Sequence, residues 1–131
     1  MRNENKIIGK RGEKIAREYL EKMGYVIVET NFYCRFGEID IIAKYNDQIS
    51  FIEVKTRCQE VFGKPAESID YLKRNRIYKV AEFYTYINEL YDVPMSLDVI
   101  EVYILEPHKS RVAHIKNAII ENPYATFFKR G

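Results

Sequence analysis

Two short acidic motifs, Glu38-Ile39-Asp40 and Glu53-Val54-Lys55, stand close together in this sequence. In each, charged residues alternate with an apolar one. On a β-strand that spacing puts Glu38 with Asp40, and Glu53 with Lys55, on a common face.

The surrounding residues supply the strands. Residues 37–44 and 49–56 are β-branched runs, and Asn46-Asp47 between them is a turn signal, so the pair reads as an antiparallel hairpin. With a two-residue turn, Tyr45 pairs with Gln48, and counting back sets Asp40 opposite Glu53 and Glu38 opposite Lys55.

Two carboxylates facing each other with Cβ atoms about 5 Å apart repel, and a divalent cation removes that repulsion. Oxygen ligands on rigid strands suit Mg²⁺ or Mn²⁺, with Asp40 and Glu53 as ligands and the Val54 backbone carbonyl for one further position. Lys55 cannot ligate a cation, but its ammonium suits the charge that develops on a phosphate during hydrolysis. Glu13 is a fourth candidate, on the side of the first helix marked by Gly9, Gly12, Ala16 and Leu20. Plainer readings stand beside these. Glu38 and Lys55 form a cross-strand ion pair, and Glu13 is a first-turn acid favoured by the helix dipole.

Arg57, Lys64, Lys73 and Arg76 are candidates for phosphate contacts, which position a nucleic acid without reading its sequence. Lys73 lies one turn before Ile77, on the core side of its helix, while the plain reading of Lys73-Arg74-Asn75-Arg76 is a solvated face. His108 and His114 are read as a turn and a strand residue without a catalytic role.

Several elements must hold this hairpin. Ile8, Ile15, Ala16, Tyr19, Leu20 and Met23 mark a helix over 6–23, with Gly24 where a C-terminal cap belongs. Residues 25–29 read as a strand. Ile69, Leu72, Ile77, Val80, Ala81, Tyr84, Ile87 and Tyr91 mark a second helix ending before Pro94. Strands are expected over 97–105 and 112–115, joined by Glu106-Pro107-His108-Lys109, and a short helix over 117–120. The order of helix, three strands, helix and two strands gives an α/β fold, a mixed central sheet with helices on both faces.

A length of 131 residues without a linker or repeat suits one domain, 1–131. No apolar run reaches the roughly 20 residues of a membrane helix, and Met1 to Lys6 leads into no signal-like segment, so a cytoplasmic location away from membranes is expected. Cys34 and Cys58 show no metal-ligand spacing. A net charge of +2 excludes a strongly basic, indiscriminately adhesive protein.

Gly9-x-x-Gly12-Glu13, Asn31, Arg35-x-Gly37-Glu38-Ile39-Asp40, the run Phe51 to Arg57, and Phe62-Gly63-x-Pro65 together resemble the YraN-like family of uncharacterised bacterial proteins. That family is similar to Holliday-junction resolvases of the restriction-endonuclease-like PD-(D/E)xK superfamily. The resemblance implies a restriction-endonuclease-like sheet flanked by helices and a metal-dependent nuclease site. It puts the superfamily's aspartate on Asp40, its Glu-x-Lys pair on Glu53 and Lys55, the resolvase-type glutamate on Glu13, and the basic residue of the following helix on Lys73. One departure is Ser96-Leu97-Asp98, where many relatives carry arginine and phenylalanine before the aspartate.

The expected activity is Mg²⁺-dependent hydrolysis of DNA phosphodiester bonds, with branched or structured DNA and a homodimer suggested by the resolvase resemblance. The rival is an inactive nuclease-fold module that binds nucleic acid or a protein partner. A third reading makes the acidic cluster a structural ion-pair network only.

Overall fold

The computed structural model describes residues 2–58 and 71–118, with side chains over 6–58 and 75–118. The order is α1 (Arg2–Lys22), β1 (Val26–Cys34), β2 (Gly37–Tyr45), β3 (Gln48–Arg57), α2 (Tyr71–Ile87), β4 (Met95–Glu106) and β5 (Lys109–Ile115).

The five strands form one sheet in chain order, β1-β2-β3-β4-β5, antiparallel throughout except between β3 and β4. Parallel neighbours cannot be joined by a tight turn, and α2 supplies the crossover between them. Each helix covers one face. Ala16 and Leu20 of α1 bury against Ile41, Ile52, Ile100 and Val102, while Ile77, Val80, Ala81 and Tyr84 of α2 bury against Ile42, Phe51, Leu97 and Val99. The central strands therefore carry apolar residues on both faces, and the result is the restriction-endonuclease-like α/β class.

Local chemistry explains the joints. Gly24, at φ +97°, ends α1, and the Tyr25 N–H reaches back to the Leu20 carbonyl, the closing bond of a Schellman cap. Asn46 takes φ +54° in the two-residue turn, so Tyr45 faces Gln48 as the spacing predicts. Pro107-His108 joins β4 to β5, with Glu106 opposite Lys109.

Some boundaries differ from the sequence expectation. β1 runs on to Cys34, past residue 29, because β2 offers it a hydrogen-bonding edge as far as Gly37. The helix expected over 117–120 does not start at Asn117, which sits in a turn at φ +54°; residues 119–120 lie outside the described residues.

Gly12 fixes how closely α1 sits on the sheet. A Cβ there would lie 1.9 Å from Thr56 Oγ1 and 2.7 Å from its Cγ2. Gly12→Ala therefore forces helix and strand apart, an overpacking cost of about 1–3 kcal/mol that outweighs alanine's helix preference. Thermal denaturation should show a lower Tm, and an unchanged or higher Tm would contradict the close approach.

Candidate metal centre

The hairpin of β2 and β3 ends in a fork. Their ladder runs from Tyr45–Gln48 to Ile41–Ile52 and stops one pair before Asp40 and Glu53. From there β2 continues beside β1 as far as Gly37, and β3 beside β4 as far as Arg57. Both acidic motifs lie on the prongs.

The alternation of β2 slips at this point. Ile41 and Ala43 pack on the α1 side and Ile42 on the α2 side, yet Ile39 is also on the α2 side, so Asp40 and Ile41 share the α1 side. The irregularity extends into β1, whose ladder with β2 passes over Asn31 and Asp40 between Thr30–Ile41 and Phe32–Ile39. Asn31 takes φ +53°, a left-handed conformation that asparagine tolerates better than most residues.

Asp40 turns its carboxylate into the gap between the prongs. Its Oδ2 accepts a 2.8 Å hydrogen bond from the Val54 N–H, the amide that a continued ladder would have given to β2. The amide and carbonyl of one strand residue point to the same edge, so the Val54 carbonyl is directed into the fork as well. Among the described residues Asp40 Oδ1 has no hydrogen-bond partner, and Asp40 lines a cleft of ≈ 480 Å³ together with Glu13, Val54 and Thr56. Burial is the main cause that pushes the Asp40 carboxyl up to about 7. The Glu53 charge comes next, the Val54 N–H opposes the rise, and Glu13 and Glu38 add to it.

Asp40 and Glu13 thus meet at one cleft, held by different elements, while Glu53 and Glu38 act on Asp40 through their charge. α1 brings Glu13, whose Oε1 accepts 2.9 Å from Asn31 Nδ2. The sequence reading gave Asn31 no role, and only its place within the family motif marked it. Glu53 and Lys55 stand beside Val99 and Glu101 of β4, on the face that Phe51 shares with α2. Strict alternation had placed Asp40 on that same face, and the slip in β2 moves it to the α1 side, with Glu53 across the fork. The expected register of Glu38 opposite Lys55 is not formed, since the β2–β3 ladder stops at Ile41–Ile52.

Arg57 faces inward, not toward solvent alone. Its Nε and Nη2 donate to Glu101 at 3.3 and 3.4 Å, and Tyr103 Oη donates to the same carboxylate. Glu101 is fully buried, an acid inside the apolar run of β4 whose burial was the overlooked signal, as was that of Asp98 on the same strand. Arg76 is exposed on α2. Lys73 lies in the first turn of α2, and Lys64 lies outside the described residues.

A second buried polar group sits on the α1 face. Asp98 Oδ2 is 2.8 Å from His114 Nε2, Tyr19 Oη is 3.2 Å from His114 Nδ1, and Asp98 Oδ1 accepts from Ser96 Oγ and, at 3.0 Å, from the Asn117 N–H. Burial alone would raise the Asp98 carboxyl; the bonds from His114, Ser96 and Asn117 outweigh it and hold it below the usual carboxylate range. Every carboxylate oxygen here is engaged, so the network ties β5 and α1 to β4 rather than awaiting a ligand.

Oxygen donors of the kind a hard divalent cation takes, on Asp40, Glu13 and Val54, line one cleft. They are the unpartnered Asp40 oxygen, the Glu13 carboxylate and the inward Val54 carbonyl, with the Glu53 carboxylate across the fork, and Mg²⁺ needs only one or two protein carboxylates. Among the described residues, no group of three or more His, Cys, Asp or Glu side chains is placed to hold a metal ion. Cys34 and Cys58 are free thiols, and no helix among the described residues is long and apolar enough to cross a membrane.

A model of the uncharacterised protein family UPF0102 matches residues 12–102, which carry the second half of α1, the fork and α2. The chain belongs to the UPF0102 family. This is the YraN-like family that the motifs resemble. A UPF0102 protein of Caldanaerobacter subterraneus subsp. tengcongensis is 47% identical over 116 residues, covering 86% of this chain and 94% of the relative. A UPF0102 protein of Clostridioides difficile is 48% identical over 114 residues, covering 87% and 97%, and one of Clostridium kluyveri is 48% identical over 102, covering 78% and 84%.

Proposed function

We propose that the chain is a Mg²⁺-dependent nuclease that hydrolyses DNA phosphodiester bonds at the β2–β3 fork. The observation that carries this reading is Asp40, which lines the cleft with its carboxylate fastened by one oxygen to the Val54 N–H, and with Glu53 and Glu13 close enough to repel it. Such crowding is costly in the bare protein and is relieved by a cation.

Asp40, Glu53, Glu13 and the Val54 carbonyl would hold Mg²⁺ or Mn²⁺, which supplies a Lewis acid for the phosphoryl oxygen and a more acidic water. In hydrolysis the water oxygen bonds to phosphorus, the bond from phosphorus to the leaving sugar oxygen breaks, and that oxygen takes up a proton. Asn31 keeps Glu13 from swinging away through its 2.9 Å bond. Lys55, on the prong with Glu53, offers a positive charge to the phosphate as negative charge builds on it. Arg57, two residues on along β3, has its charge balanced by buried Glu101, and a phosphate contact there would use only the edge of the guanidinium left outside that pair. Branched or structured DNA is the substrate class that the family's likeness to resolvases supports, and the enzyme would act on it as a homodimer.

Calorimetric titration with Mn²⁺ tests the centre. The wild-type chain should bind Mn²⁺ and Glu53→Ala should not, in parallel with loss of Mg²⁺-dependent nicking of linear, nicked and four-way DNA. Binding of DNA by a chain that takes up no divalent cation would instead establish the non-cutting module.

A further inference from the structure

The two glycines inside α1 differ. Gly12 has no room for a side chain, whereas nothing lies within 4 Å of the position that a Cβ on Gly9 would take. Glycine inside a helix costs about 1 kcal/mol relative to alanine, and at Gly9 no packing among the described residues accounts for it. Glycine is also the residue that lets another backbone come close.

Gly9 forms part of the wall of the cleft that opens on Asp40, and Lys6 and Lys10 line the same wall. These lysines stand one helical turn apart and flank Gly9. Both are exposed, and among the described residues neither has an ion-pair partner. The cleft therefore runs from a cationic lip on α1, past a bare stretch of helix backbone, to Asp40. An acidic peptide would meet Asp40 and Glu13 with like charge along its length. A narrow chain with evenly spaced anionic groups matches the lip, and with a cation at the fork it matches the floor.

We infer that one strand of the nucleic acid enters through this cleft, its sugar–phosphate backbone passing over Gly9 between Lys6 and Lys10 to bring a phosphodiester to Asp40. This rests on the nuclease reading and adds the path and the polarity of the surface that guides the strand. The lysines position the strand and take no part in the bond-breaking step.

Cys58 also lines the cleft and is exposed, so it reports on occupancy, with half-buried Cys34 as the internal control. The experiment uses the full chain in Ca²⁺ buffer, a mixed-sequence 20-nucleotide oligodeoxynucleotide and iodoacetamide, read by peptide mass. Saturating oligonucleotide should slow Cys58 alkylation at least fivefold and leave Cys34 unchanged. Gly9→Leu should melt no lower than wild type yet bind at least tenfold more weakly. Lys6→Ala with Lys10→Ala should flatten the plot of log affinity against log salt by about 1.4. Failure of the oligonucleotide to bind, full alkylation of Cys58 in the complex, or wild-type cleavage by Gly9→Leu would each overturn the path. The last would leave the nuclease reading standing. Protection of Cys58 with no cleavage in any divalent metal would sustain the path and end the nuclease reading.

Discussion

Replacing Lys55 with methionine should reduce Mg²⁺-dependent cleavage on the order of 10²- to 10³-fold, while Mn²⁺ binding changes by less than about threefold. The separation follows from the fork. Lys55 shares a prong with Glu53 but brings no electron pair to a cation, so its loss removes transition-state stabilisation and spares the metal site. Methionine keeps the unbranched stem, and buried Glu101, the residue beside Lys55 on β4, keeps its ion pair with Arg57 and its bond from Tyr103, so the strand pair should hold. Single-turnover kinetics with saturating enzyme would show the fall in the cleavage step itself. A variant that cleaves within threefold of wild type would remove Lys55 from the chemistry, and one that also loses the metal would make it a structural residue.

Much of this arrangement was legible in the residues, for identifiable reasons. The turn at Asn46-Asp47 fixes the hairpin register because two residues leave only one way to pair Tyr45 with Gln48, and the apolar stripes of α1 and α2 decide which face each helix covers. What pattern alone could not give is the slip at Asp40. A period of two assumes an unbroken pleat, and nothing in Ile39-Asp40-Ile41 announces that the left-handed Asn31 on the neighbouring strand will break it. The register of Glu38 opposite Lys55 failed for the same reason, since the β2–β3 ladder ends before it reaches them. Asn31, Glu101 and the Asp98–His114 pair escaped notice because their partners lie far along the chain, and only the assembled sheet makes them neighbours.

In metal-free buffer Asp40→Asn should be more stable than the wild-type chain, and the difference should grow with pH. Burial and the charges of Glu53, Glu13 and Glu38 raise the folded-state carboxyl from 3.8 to about 7, so the native state holds a proton that the unfolded chain releases. The sign follows from linkage: the wild type loses stability as pH rises from about 4 through about 7, and the penalty is complete above that range. Asparagine carries no charge, and its Oδ1 can still accept from the Val54 N–H, so it escapes the penalty while keeping the bond. Allowing for partial exposure, the gain at pH 8 is about 2 kcal/mol, on the order of 5–10 °C in Tm for a domain of this size. Mg²⁺ should then reverse the order, because a ligand at 100 times its Kd stabilises the wild type by about 2.7 kcal/mol and gives the variant little. The crossing of the two melting curves on adding metal distinguishes a metal centre from a purely structural charge network. A network complete in itself would make Asp40→Asn the less stable protein in EDTA, and Mg²⁺ would move neither curve.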